Sequence, residues 1–509
     1  MLRRGQRAGL RAALPALLLA ASMPAPATPT PMQACRLTGV ARPAWCAAVT
    51  RALDPARPDG PLIEVHFAVL PAQSRHALAD PVLFFAGGPG QSAIELAGVF
   101  AARHARLNQK RDLVFIDQRG TGRSAPLVCD DDLPRAALRP LALRDGSQER
   151  LRRLRACRDA LQALPHGDLR FYATALASAD VDAVRQHLGA PRINAIGGSD
   201  GSRAALDYLR QFPDRVRRLV LAGVVPPDMR LQDTAARDNQ AALDALLAAC
   251  RDEPDCAAAR PDLGAQWQAL LEGLPRRVDL PHPVSGRIER VSLDRDTLLA
   301  LVRAPLYAPA LAAALPAAIV EAAQGHFAPL AALAGAVSGG GQLTLASGLH
   351  FSVVCSEDLG PNAPPAEPGD TAAAADPAND FGDSFQRLYR AACDGWPRAE
   401  VAPAFYTVPA AGVPVWLLSG GIDPVTPPRH AARVAAALGP RSARHSVVAM
   451  AGHGVLALPC VRDAVNRFVA ADDDEAALAI AQSAPGCAAA LPRPPAFMPP
   501  GWRVGGGTR

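Results

Sequence analysis

Four short stretches carry residue types that together can break an acyl bond. The first is NAIGGSDGSR, Asn194–Arg203. Ser199 lies between Gly197 and Gly201, a G-x-S-x-G spacing. Small residues on both sides let a strand turn sharply into a helix and leave the serine hydroxyl exposed. Glycine-rich chains also produce this pattern by chance, so the flanking strand and helix carry the reading. The second stretch is FFAGGPGQSA, Phe84–Ala93. Its glycine loop can aim the Gly88 N–H at a developing oxyanion, or it can be a plain tight turn. The third, VPVWLLSGGIDPVTPP, places Asp423 just beyond an apolar run. In the fourth, VVAMAGHGVLALPC, His453 stands between Gly452 and Gly454.

Each group then has one task. Ser199 Oγ attacks a carbonyl, and His453 takes its proton and later passes it to the leaving group. Asp423 orients the imidazole and stabilises its charged form. The backbone N–H groups of Gly88 and Asp200 bind the oxyanion. This chemistry needs no metal and no organic cofactor. His430 and His445 compete with His453. One falls in a helix-like segment and the other just before a strand, so structural roles are expected of both. Asp200 raises its own question, because a carboxylate aimed at the site would oppose the oxyanion or attract a substrate cation. The expectation is that its side chain turns aside or meets a cationic substrate group.

These residues need a scaffold that holds strand ends together. Apolar runs at Pro81–Phe85, Leu113–Ile116, Ile193–Ile196, Leu219–Ala222, Val415–Leu418 and Ser446–Val448 read as buried strands. Helical patterns lie between them. One is Ser178–Leu188, with Ser178 as its N-cap and Asp180 and Asp182 near its start, where they would complement the helix dipole. Another is Ser202–Gln211. Alternation of this kind predicts an α/β fold with a mostly parallel sheet and helices on both faces. Ser199, Asp423 and His453 all follow strands, in the chain order of an α/β-hydrolase triad. From 226 to 409 the chain is rich in Ala, Leu and Arg, with long helical patterns at Thr234–Cys250 and Leu298–Ala323. A mainly helical insertion is expected there, with a loose loop at Ala363–Asp380. Five segments follow: 1–27, 28–225 as the first part of the core, the 226–409 insertion, 410–491 as the second part, and a 492–509 tail. Asp117-Gln118-Arg119-Gly120 is expected to form a hydrogen-bonded structural corner.

Composition bounds the class. With 509 residues the chain can bury a large core, and 49% hydrophobic with 20% charged residues is ordinary for a folded protein. Net charge is +5; discounting Arg3, Arg4, Arg7 and Arg11 lowers it by four, to +1. That balance gives no reason to expect nucleic acid as a partner. The basic start, the apolar run Ala12–Ala21 and Ala25-Pro26-Ala27 have the layout of a secretory signal peptide over 1–27. The run is too short for a stable membrane anchor. Export to the periplasm or beyond fits ten cysteines that fall in neighbouring pairs. The simplest pairing is Cys35–Cys46, Cys129–Cys157, Cys250–Cys256, Cys355–Cys393 and Cys460–Cys487. The cysteines and histidines show no zinc-type spacing.

Taken together, GGPGQSA, DLVFIDQRGTGRSAP, GGSDGSRAALDYLRQFPDRVRRLVLAGVVPP, GGIDPVTPP and GHG resemble, in order, the proline iminopeptidase and tripeptidyl-aminopeptidase group of α/β-hydrolases. The resemblance covers roughly 80–225 and 410–470. It implies a helical cap between core strands and exopeptidase action on peptides with a free N-terminus. Ala86 stands where many iminopeptidases have histidine, which points toward the secreted tripeptidyl-aminopeptidase branch. Asp200 replaces a residue that is usually aromatic in the group. The resemblance also suggests that Glu357, two residues after Cys355, holds the substrate's ammonium, alone or together with Asp358; a solvated acidic turn is the alternative. Three other readings remain at this level: an esterase on the same triad, a non-catalytic binding protein, and an aspartate-nucleophile hydrolase, which the serine at the elbow disfavours.

Overall fold

A computed structural model of the chain describes residues 31–138, 141, 147–282, 284–337, 345–483 and 491–497. The expected signal peptide, Cys487 and most of the expected tail lie outside the described residues. The strands are β1 Gln33–Cys35, β2 Ala44–Ala52, β3 Leu62–Leu70, β4 Val82–Phe85, β5 Leu113–Ile116, β6 Ile193–Gly198, β7 Val216–Ala222, β8 Arg276–Pro281, β9 Ile288–Leu293, β10 Val415–Gly420 and β11 Ala443–Val448. One nine-stranded sheet has the order β1-β2-β3-β5-β4-β6-β7-β10-β11. From β5 to β11 its neighbours run parallel. At the other edge β1, β2 and β3 run antiparallel.

All six apolar runs became strands of the parallel part of the sheet. Five are central and largely buried on both faces, which is why they read as apolar runs rather than as alternation, whereas β11 closes the edge and leaves Val447 exposed. Two separate apolar cores flank the sheet. The antiparallel edge was not anticipated. β3 alternates exposed and buried residues at its start, the sign of a half-solvated strand.

Between β7 and β10 the described chain is mainly helical. The predicted Thr234–Cys250 helix spans Leu231–Asp252. The predicted Leu298–Ala323 helix is instead three pieces: Arg295–Leu306, Pro309–Ala312 and Leu315–Ala323. Proline opens or interrupts each break, since it cannot donate the intrahelical bond and clashes with the preceding turn. The segment expected to be a loose loop contains the helix Pro368–Ala375. A β8–β9 hairpin also went unforeseen. Residues 242–330 and Phe381 supply an apolar core of their own. By contrast, the Ser347–Glu357 and Ser384–Cys393 helices pack into the core on one face of the main sheet.

Four of the neighbouring cysteine pairs are disulfides: Cys35–Cys46, Cys129–Cys157, Cys250–Cys256 and Cys355–Cys393. The last of these ties the Ser347–Glu357 helix to the Ser384–Cys393 helix.

The helix before β6 starts earlier than expected, at Thr174, so Ser178 is not its cap but a buried residue inside it. Asp180 and Asp182 therefore lie past the first turn, and the dipole account of them does not hold. Asp180 accepts both Nε and Nη2 of Arg119, at 2.7 and 2.9 Å, and Nε of Arg51 at 3.0 Å. Asp182 accepts from Arg185, Gln186 and Tyr208. The 117–120 turn is a bonded corner. Asp117 takes the Ser92 hydroxyl and the Ile94 and Arg123 N–H groups.

Arg119 and Asp180 are each only 1% exposed. Removing one partner strands the other charge in the core. Asp180→Ala is expected to cost about 3–5 kcal/mol in chemical denaturation. A charge that merely complemented a helix dipole would cost about 0.3–1 kcal/mol.

Candidate active site

The site gathers at the C-terminal ends of the parallel strands. β6 ends at Gly198, and the helix Asp200–Gln211 begins one residue after Ser199. Ser199 has φ 54° and ψ −130°, a conformation that costs a non-glycine residue about 1–3 kcal/mol. Several hydrogen bonds hold it there. The Ser199 N–H donates to Ala222 O at 2.9 Å. Its carbonyl accepts the Ser202 N–H at 2.8 Å and the Ser202 hydroxyl at 2.6 Å. The Ser202 oxygen in turn accepts from Val225 N. Glycine is required on both sides of the corner. A Cβ at Gly197 would lie 2.4 Å from Gly201 O, and one at Gly201 would lie 2.1 Å from Phe85 O.

Asp423 follows β10 and is 2% exposed. One of its carboxylate oxygens accepts the Val425 and Thr426 N–H groups. The other accepts the Thr426 hydroxyl at 2.7 Å and meets His453 Nδ1 at 2.8 Å. Burial opposes ionisation of Asp423, but the His453 charge and these bonds outweigh it and hold the carboxyl below its usual range. Burial likewise disfavours charge on His453, yet Asp423 outweighs it, and the imidazole lies above its ordinary value. Nδ1 is thus committed to Asp423, which leaves Nε2 for the cavity. His453 N donates to Tyr307 O at 3.1 Å, and the Tyr307 ring stands edge-on to the imidazole at 5.3 Å. Gly223, after β7, has φ 56°; a Cβ there would come within 3.1 Å of His453 Cε1.

Ser199 and His453 line one cavity of about 750 Å³, with no hydrogen bond between the serine hydroxyl and the ring. Gly87, Gly88 and Pro89 line it too. A Cβ on Gly87 would meet Ser199 Cβ at 3.0 Å, so this loop lies directly against the elbow. The inserted helices brace the loop from outside. Ala346 N donates to Gly90 O at 2.9 Å, and His350 Nδ1 meets Pro89 O at 3.3 Å. Burial pushes His350 down to about 4, so the ring is neutral at ordinary pH. Its Nδ1–H faces the carbonyl, and Nε2 then accepts from the Tyr389 hydroxyl at 2.9 Å.

The acids are arranged differently from expectation. Glu357, the proposed ammonium holder, does not line the cavity. It ends the Ser347–Glu357 helix at 2% exposure, and its oxygens accept Thr174 N at 2.7 Å and Thr174 Oγ1 at 3.1 Å. Nor is it a solvated turn. Burial, opposed by Arg203, pushes it up to about 8. Its neighbour Asp358 does line the cavity and accepts Arg203 Nη1 at 2.8 Å. Asp200 also lines the cavity, is 8% exposed, and accepts no hydrogen bond from a described residue. Burial pushes it up to about 6, with Arg203 opposing and Asp358 adding to the rise.

The competing histidines are engaged elsewhere. His430 Nε2 meets Asp238 at 2.8 Å, and His445 Nε2 meets Ser419 Oγ at 3.0 Å. Sequence reasoning missed Ser202, Gly223, Thr426 and Tyr307. Thr426 had a signal, since Asp-x-x-Thr can form a local turn that bonds the aspartate. Tyr307 had none, because only the folded insertion brings it to His453.

Known proteins resemble this chain in sequence. Serine protease Hip1 of Mycobacterium tuberculosis is 29% identical over 264 residues, 50% of this chain and 49% of that protein. Tripeptidyl aminopeptidase of Streptomyces lividans is 31% identical over 199 residues, 36% of each. Proline iminopeptidase of Neisseria meningitidis is 31% identical over 145 residues, 28% of this chain and 32% of that one. The chain spans about half the length, or less, of the curated relatives it matches. The family model for the alpha/beta hydrolase fold matches residues 80–458, from the strand before the glycine loop to just past His453. With that span, and with the parallel sheet that carries the site, the chain belongs to the α/β-hydrolase fold family.

Proposed function

We propose that the chain is an exported serine aminopeptidase that cleaves near the free N-terminus of peptides. The observation that carries this reading is one cavity lined by the strained Ser199, by His453 bonded to Asp423, and by the carboxylates Asp200 and Asp358. Relatives named as a serine protease, a tripeptidyl aminopeptidase and a proline iminopeptidase support it. Disulfides in four pairs support export.

In this mechanism His453 Nε2 takes the Ser199 proton as Oγ bonds to the scissile carbonyl carbon. The tetrahedral oxyanion is held by the Gly88 and Asp200 N–H groups. His453 then gives its proton to the leaving nitrogen, and the C–N bond breaks, leaving an acyl ester on Ser199. Water, deprotonated by His453, attacks that ester and releases the acid. The ammonium of the substrate lies between Asp200 and Asp358, a role the sequence reading gave to Glu357.

Aminoacyl and tripeptidyl anilides, their N-blocked forms and a short acyl ester test the reading. A requirement for the free amine supports a peptidase, whereas equal turnover of blocked substrates and the ester makes it an acyl esterase. A fluorophosphonate probe is expected to label the protein, and Ser199→Ala to abolish labelling and lower kcat by about 10⁴-fold or more. No labelling would leave a non-catalytic protein of this fold.

Only neutral His453 can act as base, and its pKa is raised. The acid limb of kcat/KM is therefore expected above the ordinary imidazole value of about 6.5. Asp423→Asn should move that limb to lower pH while lowering kcat. Asp200 is charged only above about 6, so KM for free-amine substrates should rise as pH falls through that value. Asp200→Asn should raise KM by about tenfold and remove this dependence, since a charge-assisted bond is lost.

A further inference from the structure

The helix Arg295–Leu306 lays one face along the cavity: Asp296, Leu299, Ala300 and Arg303, with Tyr307 one turn on. This is helical spacing, so these side chains share a stripe. Asp296 has a cation nearby, Arg387 at 3.8 Å. Arg303 has no carboxylate partner among the described residues. Its Nε donates to Asn239 Oδ1 at 3.2 Å and its Nη2 to the Tyr307 hydroxyl at 2.8 Å. Its guanidinium lies 5.4 Å from the Tyr307 ring centre and 4.7 Å from that of Phe385. Two bonds and two aromatic rings fix its plane. Nη1 and the second hydrogen of Nη2 keep no described partner.

The position matters more than the charge. Tyr307 holds Arg303 by its hydroxyl and meets His453 with its ring and its carbonyl. Arg303 is close enough to disfavour charge on the imidazole. His453 protonates the leaving nitrogen, so atoms beyond the scissile bond lie on the histidine's side of the cavity. Asp200 and Asp358 enter from the nucleophile's side, around Arg203. The cavity thus offers the Asp200 and Asp358 carboxylates to the amine and the Arg303 guanidinium to whatever leaves.

We propose that Arg303 binds a carboxylate on the leaving side of the scissile bond, so that the enzyme prefers short peptides ending, or bearing an acidic side chain, one or two residues beyond the cut. A pre-oriented guanidinium with free N–H groups is suited to a planar carboxylate. A residue advances the chain by about 3.5 Å, which keeps such a group within reach of the neighbouring helix. A cavity of about 750 Å³ is of a size for a short peptide. The inference rests on the aminopeptidase reading and adds the nature of the leaving group.

Three peptides sharing one accepted N-terminal unit X, aminoacyl or tripeptidyl as the anilides decide, test it: X-Ala, X-Ala-NH₂ and X-Glu-NH₂. The wild-type protein is expected to cleave X-Ala, X-Glu-NH₂ or both about tenfold or more better in kcat/KM than X-Ala-NH₂. Preference for X-Ala alone identifies the terminal carboxylate, and for X-Glu-NH₂ alone the side chain. Arg303→Gln should bring the ratio close to one, and Arg303→Lys should restore part of it. A merely structural role would lower all three rates together and leave the ratio unmoved. Equal wild-type rates on the three peptides, or a preference that survives Arg303→Gln, overturn the proposal while the aminopeptidase reading stands. Failure to cleave any free-amine peptide overturns that reading itself. Equal wild-type rates overturn the proposal whether or not a variant folds, and where Arg303→Gln does not fold Arg303→Lys supplies the comparison.

Discussion

A serine in a left-handed backbone conformation is unstable on its own, and much of the molecule is arranged so that this one residue has no alternative. The Ser202 hydroxyl donates to the Ser199 carbonyl and accepts from Val225, so the first turn of the helix, the elbow and the segment after β7 share one atom. The glycine loop after β4 closes the corner from the other side, at a distance that admits no Cβ on Gly87. Strain of this kind persists only where neighbours over-determine it. Here three adjacent parallel strands do so. Their ends converge because β4, β6 and β7 are neighbours in the sheet.

The second constraint is electrostatic. Asp200, Asp358, Glu357 and Arg203 are all buried, and they do not behave alike. Glu357 turns both oxygens to Thr174, whereas each Asp358 oxygen accepts one bond, from Arg203 and from the Leu231 N–H, and keeps a further acceptor site. Asp200 lines the cavity and accepts no hydrogen bond from a described residue. A buried carboxylate without a donor is costly, and the cost falls when a cation arrives. That inverts the worry about an acid beside a nucleophile. In the proposed mechanism the side chain receives a substrate amine while the Asp200 N–H serves the oxyanion.

The inserted helices do more than cover the site. Tyr307 lends a carbonyl and a ring to His453, and His350 braces the loop that carries Gly88. The disulfide Cys355–Cys393 ties together the helices that carry His350 and Tyr389. The inserted helices and the proposed catalytic residues therefore share one wall of the cavity.

Much of this was legible from residue order alone. Six parallel strands, five of them central and buried, the G-x-S-x-G corner, and the order Ser199, Asp423, His453 follow from local physics: apolar runs bury, glycines permit close approach, and loops after parallel strands converge. The half-solvated strands β1–β3 and the proline-broken helices lay in the same sequence but were read too coarsely. What residue order could not decide was which of two adjacent acids faces the cavity. Glu357 and Asp358 are equivalent in sequence, and one step along a helix end points them to different places. Nor could it bring Tyr307 and Arg303 to His453, which lies far along the chain. Side-chain direction at a helix end and contact across an insertion depend on packing between distant segments, and only the tertiary structure supplies that.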